Sequence, residues 1–187
     1  MQQRSDKPGP LLSAEKGTSF DAACATGSLV NRPVKQVTAL QSGIRDVGSG
    51  RNVRIVAPSN VYECQLDDDV FVGPFVEIQK GVAIGARTRI QSHSFICEFV
   101  SIGADCFVGH GVMFVNDVFA HGGPARGDRA LWRSTEVGNN VSIGSNATIL
   151  PVRICDGAVI GAGAVVTRDI TVPGTYAGNP ARRLRAF

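Results

Sequence analysis

Large aliphatic side chains recur at every sixth position over much of this chain. The repeat is unbroken at Leu66, Val72, Ile78, Ile84, Ile90, Ile96, Ile102, Val108 and Phe114. It returns at Val137, Ile143, Ile149, Ile154, Ile160 and Val166, with one residue missing near Pro151. Neither an α-helix nor an alternating strand has a period of six. The pattern predicts a solenoid in which each hexad forms one short strand and one corner.

Three further columns agree with this interpretation. Small or branched residues stand two places before the aliphatic residue, at Val70, Val76, Val82, Thr88, Ser94, Val100, Cys106 and Val112. Glycine follows it at Gly73, Gly85, Gly103 and Gly109. The corner position holds residues that tolerate positive φ, at Asp69, Gly81, Asp105, Gly111, Asn140, Asn146, Gly157 and Gly163. We therefore expect an all-β fold in which each coil passes its backbone hydrogen bonds to its neighbours.

The repeat stops at Asn116 and Asp117 and resumes near Val137. Residues 117–134, DVFAHGGPARGDRALWRS, are too polar and too rich in glycine to continue a wall, so they predict an extruded loop. A loop of this length is either a surface insertion or a functional element, and the second is favoured. After Val166 the repeat ends, and Asn179 followed by Pro180 predicts a short terminal helix as a C-terminal cap.

Two regions follow from the distribution of the repeat. Residues 1–50 mix Pro, Gly, Ser and charged residues without a period, which predicts a flexible or irregular N-terminal tail. Residues 51–187 form the predicted solenoid domain, with a less regular first coil near Asn52. The length of 187 residues fits one such domain.

Charge and cysteine content narrow the class of protein. The net charge of +3 is mild and scattered, which argues against nucleic acid as the main partner and is compatible with an anionic small molecule. No apolar run approaches the roughly 20 residues that span a bilayer, and no signal peptide is evident. The cysteines have no metal-binding spacing, so we interpret them as reduced structural thiols in a cytoplasmic protein: Cys24, Cys64, Cys97, Cys106 and Cys155.

Several segments resemble a known family. The ending VIGAGAVVTRDITVPGTYAGNPARRL resembles that of acetyl-CoA-dependent left-handed β-helix, or hexapeptide-repeat, acyltransferases, and the resemblance covers residues 52–184. The segments VFVGPFVEIQKG, IQSHSFICE, GHGVMFVND and NNVSIGSNATILP are similar to nucleotide-sugar N-acetyltransferases. The resemblance implies a left-handed coil and a homotrimer with active sites between subunits. It also implies acetyl transfer from acetyl-CoA to the 3-amino group of a dTDP- or UDP-linked sugar, for surface polysaccharide or glycan biosynthesis.

The same resemblance suggests residues that bind the substrate. Asn116 matches a position that binds and orients the substrate amine, and Asp117 either contacts the sugar or holds the loop. His110 is the first candidate for a substrate contact or general base. Trp132 either stacks on a base or anchors the loop. The remaining candidate sugar contacts are Gln91, His93, Glu98 and His121.

Candidate residues for the cofactor lie nearer the C-terminus. Ala147, Ala162 and Ala164 fall where a wall of small residues would let a pantetheine arm approach backbone amides. Arg168, Arg182 and Arg183 are candidates for its phosphates, the alternative being a solvated terminus.

Three other functions remain to be weighed. A zinc enzyme of the γ-carbonic anhydrase type is excluded by the spacing of His93, His110 and His121, and no metal is expected. A sugar O-acetyltransferase would use His121 as its base, whereas an amine is nucleophilic enough to react without one. A non-enzymatic scaffold would need neither the loop nor the GAGAVVTRD ending.

Overall fold

The computed structural model describes residues 42–185, which form a parallel β-solenoid of seven coils. In chain order the strands are β1 (Ile44–Arg45), β2 (Gly48–Ser49), β3 (Arg54–Ile55), β4 (Asn60–Tyr62), β5 (Gln65–Leu66), β6 (Phe71–Val72), β7 (Glu77–Ile78), β8 (Ala83–Ile84), β9 (Arg89–Ile90), β10 (Phe95–Ile96), β11 (Val100–Ile102), β12 (Phe107–Val108), β13 (Met113–Phe114), β14 (Thr135–Val137), β15 (Ser142–Ile143), β16 (Thr148–Ile149), β17 (Arg153–Ile154), β18 (Val159–Ile160), β19 (Val165–Val166), β20 (Thr175–Ala177) and β21 (Arg182–Arg185). A 3₁₀ helix spans Arg129–Leu131, and the described range contains no α-helix. The predicted all-β solenoid is confirmed.

The strands stack into three sheets, one on each side of the coil. Sheet 1 contains β1, β4, β7, β10, β13, β16 and β19; sheet 2 contains β2, β5, β8, β11, β14 and β17; sheet 3 contains β3, β6, β9, β12, β15, β18, β20 and β21. Equivalent positions of successive coils pair directly, as Ile78 does with Ile96. We name each corner by the sheets it joins. Corner 1–2 includes residues 79–82 and 97–99, and corner 3–1 includes residues 91–94, 109–112, 144–147 and 161–164.

The hexad columns form the core as predicted. Every member of the aliphatic column is buried, with Val72, Ile90 and Val108 fully so. The second column also points inward, including the hydroxyl residues Thr88 and Ser94. Their hydroxyl groups donate to the carbonyl oxygens of Gly103 (2.7 Å) and Gly109 (2.8 Å), which satisfies them inside the prism.

The predicted corner residues adopt the expected backbone conformation. All eight have positive φ: Asp69, Gly81, Asp105, Gly111, Asn140, Asn146, Gly157 and Gly163. This conformation turns the chain from one wall to the next, and it is strained for most L-residues outside the Asn, Asp and Gly types. The residue types at the corner positions therefore predict correctly where the backbone adopts positive φ.

Both ends of the solenoid differ from expectation in detail. Strands β1 and β2 pair with β4 and β5, so the coil already includes residues that precede the predicted boundary at residue 51. Residues 1–41, and with them most of the predicted tail, lie outside the described residues. At the other end the expected helix after Asn179 is wrong. Gly178, at φ +94°, turns the chain back so that β21 pairs antiparallel with β20 and covers the last parallel edge of sheet 3.

The predicted interruption is an extruded loop that leaves the stack intact. The chain leaves sheet 1 after Phe114 and re-enters at Thr135, which pairs directly with Val100 of the coil below. The structure also shows the effect of the hexad that is one residue short near Pro151. Ile149 pairs with Val166, so this coil is one residue shorter than the coil that joins Ile78 to Ile96.

Candidate functional site

Polar side chains meet at corner 1–2, where the repeat breaks. The backbone N–H of Glu98 donates to Oε1 of Gln79 (3.3 Å), and the Asn116 side chain donates through Nδ2 to the Glu98 carbonyl oxygen (3.2 Å). The amide oxygen of Asn116 has no partner within residues 42–185. Because only the NH₂ group is used, the oxygen is left to accept a hydrogen bond from a ligand.

Charged groups of both signs lie at this corner. The carboxylates of Glu77 and Glu98 lie near the phenol of Tyr62, whose pKa is raised first by burial and then by these two negative charges. Oε2 of Glu98 is buried and accepts no hydrogen bond of good geometry, although Arg129 Nη2 lies 2.7 Å away. Arg129 therefore neutralises the Glu98 carboxylate, whose oxygens keep capacity to accept a hydrogen bond from a neutral donor.

Asp117 organises the start of the loop. Its Oδ1 accepts a hydrogen bond from the Phe119 N–H (3.0 Å), and its Oδ2 accepts one from the Ala125 N–H (2.7 Å). The Asn116 carbonyl oxygen accepts from the Arg133 N–H (2.9 Å), which closes the loop across its base. Both carboxylate oxygens of Asp117 therefore hold the loop, which favours the second of its two expected roles.

Four residues fasten the loop to the coil beneath it, and we call them the loop anchor: Glu98, Phe99, Arg129 and Trp132. Arg129 pairs with Glu98 and places its guanidinium 5.1 Å from the centre of the Phe99 ring. Trp132 approaches the same ring edge-on, with centroids 6.2 Å apart. Trp132 thus packs in the loop anchor, as one of its two expected roles requires.

Replacing Arg129 by alanine should loosen this loop without unfolding the solenoid. The variant loses a partly buried ion pair and the contact with Phe99, together on the order of 1 to 2 kcal/mol of local stability. Trp132 is the only tryptophan, so its fluorescence reports the anchor directly, and we expect a shift to longer wavelength with faster tryptic cleavage in the loop. Arg126→Ala removes the same charge from an exposed residue of the loop and should change neither; equal spectra for the two variants would contradict the anchor.

The other candidate side chains lie at corner 3–1 or in the loop. His110 is exposed, and its Nδ1 is 2.8 Å from the Ser92 hydroxyl. His93 has φ +64° and stacks on Phe75 with ring centroids 4.9 Å apart. Gln91 is half-buried at the same corner. His121 is exposed in the loop, and no contact to a described residue orients its ring.

The structure therefore divides the predicted site between two corners. Glu98, Asn116, Asp117 and Trp132 meet at corner 1–2, whereas Gln91, His93 and His110 lie at the opposite end of the sheet 1 strands. Two open grooves of about 590 and 550 Å³ run along sheet 2, and none of the predicted site residues lines them.

The proposed cofactor residues have different environments. The side chains of Ala147 and Ala164 face the core, so only their backbone can meet a ligand, whereas Ala162 is exposed. Arg168, Arg182 and Arg183 are brought together around a cavity of about 200 Å³ that also includes Tyr176. Arg183 Nη2 donates to the Pro173 carbonyl oxygen (2.8 Å), which fixes one side of this cluster. Asp169 lines the same cavity, and three arginines against one carboxylate leave a positive excess that favours an anion.

Three of the four described cysteines are buried structural thiols, the fourth, Cys155, is half-buried, and Cys24 lies outside the described residues. Burial raises the pKa of Cys64 to about 11 and that of Cys97 to about 12, and it also raises the pKa of Cys106. Such thiols are not nucleophiles at neutral pH. In the part of the chain that the structure covers, no group of three His, Cys, Asp or Glu residues is arranged to hold a metal ion. The same residues include no helix with the length and hydropathy needed to cross a membrane.

Comparison with known proteins agrees with the coil geometry. Residues 135–168 match the family model described as the hexapeptide repeat of succinyl-transferase, and the strand at every sixth residue is the structure such a repeat forms. The chain is a hexapeptide-repeat protein. Its curated relatives are longer proteins, and it covers 20% to 33% of the first of them. One is the bifunctional protein GlmU of Acidithiobacillus ferrooxidans, which is 30% identical over 151 residues, or 75% of this chain and 33% of GlmU.

Solved structures share the fold of this hexapeptide-repeat protein. A variant of perosamine N-acetyltransferase from Caulobacter crescentus, in complex with CoA and GDP-perosamine, superposes with a TM-score of 0.58 and 24% identity. That match covers 71% of this chain and 57% of the other. A maltose O-acetyltransferase from Clostridium difficile 630 gives a TM-score of 0.50 and 21% identity, over 75% and 70% of the two chains.

Sequence reasoning missed three residues of this hexapeptide-repeat protein. Arg129 and Phe99 complete the loop anchor, and Ser92 contacts the ring of His110. A signal for Ser92 was present, since it stands one full coil before His110 and coil neighbours stack. Nothing comparable predicted Arg129, because a loop outside the repeat has no register.

Proposed function

We propose that this chain is an acetyl-CoA-dependent N-acetyltransferase that acetylates an amino group of a nucleotide-linked sugar. The observation that carries the proposal is the arrangement at corner 1–2. There the unpaired amide oxygen of Asn116 lies in the same corner as the carboxylate of Glu98, beneath a loop that the protein fastens in place. A hydrogen bond from an amine N–H to the Asn116 oxygen orients the nitrogen lone pair for attack.

The cofactor assignment rests on a second group of residues. Arg168, Arg182 and Arg183 surround one cavity, and guanidinium groups are well suited to phosphates such as those of coenzyme A. Ala162 is exposed two coils above His110 on corner 3–1, where a small side chain leaves the backbone accessible. Perosamine N-acetyltransferase, which has a similar fold, was crystallised with CoA and GDP-perosamine, so these ligand classes are the first to test.

A homotrimer completes the proposal. One prism offers its two groups of site residues on separate corners, and a three-fold axis would bring corner 1–2 of one subunit beside corner 3–1 of the next. Exposed apolar side chains near these corners, Phe75, Met113 and Phe119, are suited to such an interface. The expected particle in sedimentation velocity is a trimer, and a fully active monomer would contradict this part of the proposal.

The rival function is O-acetylation with His121 as general base. A maltose O-acetyltransferase shares the fold, so the class is a fair alternative. A base has to be held within hydrogen-bond reach of the hydroxyl that it activates. No described residue orients the His121 ring, whereas Asn116 and Glu98 are held in place, so the geometry favours an amine as the acceptor.

The direct experiment is a turnover assay that measures thiol release from acetyl-CoA. We expect release with dTDP-, UDP- or GDP-linked sugars that bear a free amino group at C3, and little release with the matching hydroxy sugars. Activity on hydroxy sugars or simple galactosides alone would favour the rival. If the protein neither binds acetyl-CoA in calorimetry nor releases thiol with any sugar, a non-enzymatic scaffold is the better explanation.

A further inference from the structure

One position of corner 3–1 forms a vertical column through five coils. Backbone hydrogen bonds define it, because the carbonyl oxygen of each member accepts from the N–H of the residue that directly follows the next member, one coil above. These bonds join Pro74 to the His93 N–H (3.2 Å), Ser92 to that of Gly111 (3.0 Å), His110 to that of Asn146 (2.8 Å) and Ser145 to that of Gly163 (2.9 Å). The column is therefore Pro74, Ser92, His110, Ser145 and Ala162. With about 4.8 Å between paired strands, His110 lies roughly 10 Å below Ala162.

Within this column His110 is held at two points. Its backbone N–H donates to the Ser145 hydroxyl oxygen (3.2 Å) from the coil above. Its ring Nδ1 lies 2.8 Å from the Ser92 hydroxyl of the coil below. Nε2 has no partner within residues 42–185, and the ring is exposed. The ring is thus oriented by one hydrogen bond and presents its other nitrogen outward.

The Ser92 contact favours one of the two neutral tautomers of His110. In neutral imidazole one nitrogen is a donor and the other an acceptor, and the partner of one sets the state of the other. Nδ1 of His110 is the only acceptor that the described residues offer to the Ser92 O–H. Donation from Ser92 to Nδ1 satisfies both groups and leaves the proton of His110 on Nε2. The opposite tautomer would leave the hydroxyl proton and the Nε2 lone pair both without a protein partner.

We propose that Ser92 is a positioning residue, and that it makes His110 a hydrogen-bond donor to the acyl oxygen rather than a general base. The inference rests on the proposed function, since the acyl group is that of the acetyl-CoA proposed to bind beside Ala162. A neutral donor held before the reaction is the arrangement that stabilises a developing oxyanion. In this tautomer Nε2 already bears a proton and cannot accept one from the amine.

The resulting reaction is balanced without an enzymic base. The uncharged amine nitrogen attacks the thioester carbon, and the carbonyl π electrons move to the oxygen, which accepts the hydrogen bond from Nε2–H of His110. The carbonyl then re-forms and the carbon–sulfur bond breaks, so that the electron pair leaves with the thiolate of coenzyme A. The proton on nitrogen passes to that sulfur, which gives the acetamide and the free thiol. His110 keeps its proton throughout.

Nitrogen NMR tests the tautomer without any need for activity. The full chain is labelled with ¹⁵N at its three histidines, and His110 is assigned by its disappearance in His110→Gln. At a pH where the ring is neutral, we expect the unprotonated nitrogen of His110 to be Nδ1. Ser92→Ala should give a mixture of tautomers, and Ser92→Thr should restore the original spectrum. A wild-type ring with its unprotonated nitrogen at Nε2 overturns the proposal, even if the protein proves to be an N-acetyltransferase.

Kinetics then test the role of the donor. Ser92→Ala should lower kcat/KM about tenfold, the effect of one lost hydrogen bond, whereas Ser92→Thr should retain activity. His110→Gln should keep more activity than His110→Ala, because an amide N–H replaces the Nε2–H, whereas loss of a base would make the two equally poor. Ser142→Ala, which removes an exposed hydroxyl on sheet 3, is the control and should match wild type. Equal rates for the Gln and Ala variants would overturn the donor role, and if no sugar is acetylated by any variant, the NMR result still decides the tautomer.

Discussion

Replacing Gly85 by alanine should lower the melting temperature of the protein by about 10 °C. A Cβ atom at this position would lie 2.6 Å from both the Gly103 carbonyl carbon and the Ala104 nitrogen of the next coil. Both are backbone atoms, and the Gly85 N–H is bonded to the Ile102 carbonyl oxygen (2.8 Å), so the coils cannot separate without breaking the ladder. We expect a cost of about 3 kcal/mol. In a chain of this size, each kcal/mol lowers the melting temperature by about 3 °C, which gives the expected shift of about 10 °C.

Two other glycines provide matched controls in thermal unfolding followed by circular dichroism. Gly123 lies in the loop, where an added Cβ atom would meet no other atom within 4 Å and φ is not positive, so Gly123→Ala should leave the melting temperature unchanged. Gly81 also has open space but a φ of +75°, so Gly81→Ala should cost about 1 kcal/mol through backbone strain alone. Equal melting temperatures for the Gly85 and Gly123 variants would show that close coil packing does not limit stability.

Removing the Asn116 side chain should reduce kcat/KM for an amino sugar by about 100-fold, whereas removing that of His121 should have little effect. Asn116→Ala deletes the amide oxygen proposed to orient the amine and the bond to the Glu98 carbonyl oxygen. The loss of positioned polar contacts is typically on the order of 1 to 3 kcal/mol. His121 is exposed and makes no orienting contact with a described residue, and an amine needs no base of its own.

The measurement is thiol release from acetyl-CoA under subsaturating sugar, with both variants first matched to wild type by thermal unfolding. Asn116→Asp keeps the shape and one oxygen of the side chain and should fall between Asn116→Ala and wild type. The opposite ranking, with His121→Ala inactive and Asn116→Ala active on hydroxy sugars, would replace the proposed function with O-acetylation.

The repeat made the fold predictable because each hexad states its own geometry. Ile90 and Ile96 are buried because they hold the same inward position of the hexad, and Asp69 and Asn146 have positive φ because they hold the same corner position. One correct assignment of the hexad therefore predicted the burial and backbone conformation of many residues. The end of the solenoid lacked that redundancy. A turn at Gly178 and a returning strand look much like a helix cap in sequence, because Asn179 and Pro180 are common at both.

The candidate site was predictable only where it stands on the repeat. Asn116 and Glu98 are one coil apart, and the structure joins them as coil neighbours. Ala147 and Ala164 stay predicted cofactor contacts, but their side chains belong to the inward column, so burial restricts them to backbone contacts. Arg129 reaches Glu98 from a loop whose path no period describes, so that pairing could be seen only in the folded chain.

The pairing of Val100 with Thr135 makes the register of the strands independent of the loop between them. The stack continues as though the intervening residues were not present, so an exchange of this segment for a longer or shorter one shifts no strand and moves no core side chain. Closing a longer excursion costs little, because loop entropy grows only with the logarithm of length. The solenoid thus acts as a fixed frame with one interchangeable part, so the loop can change in length and sequence while the stacking of the strands stays the same.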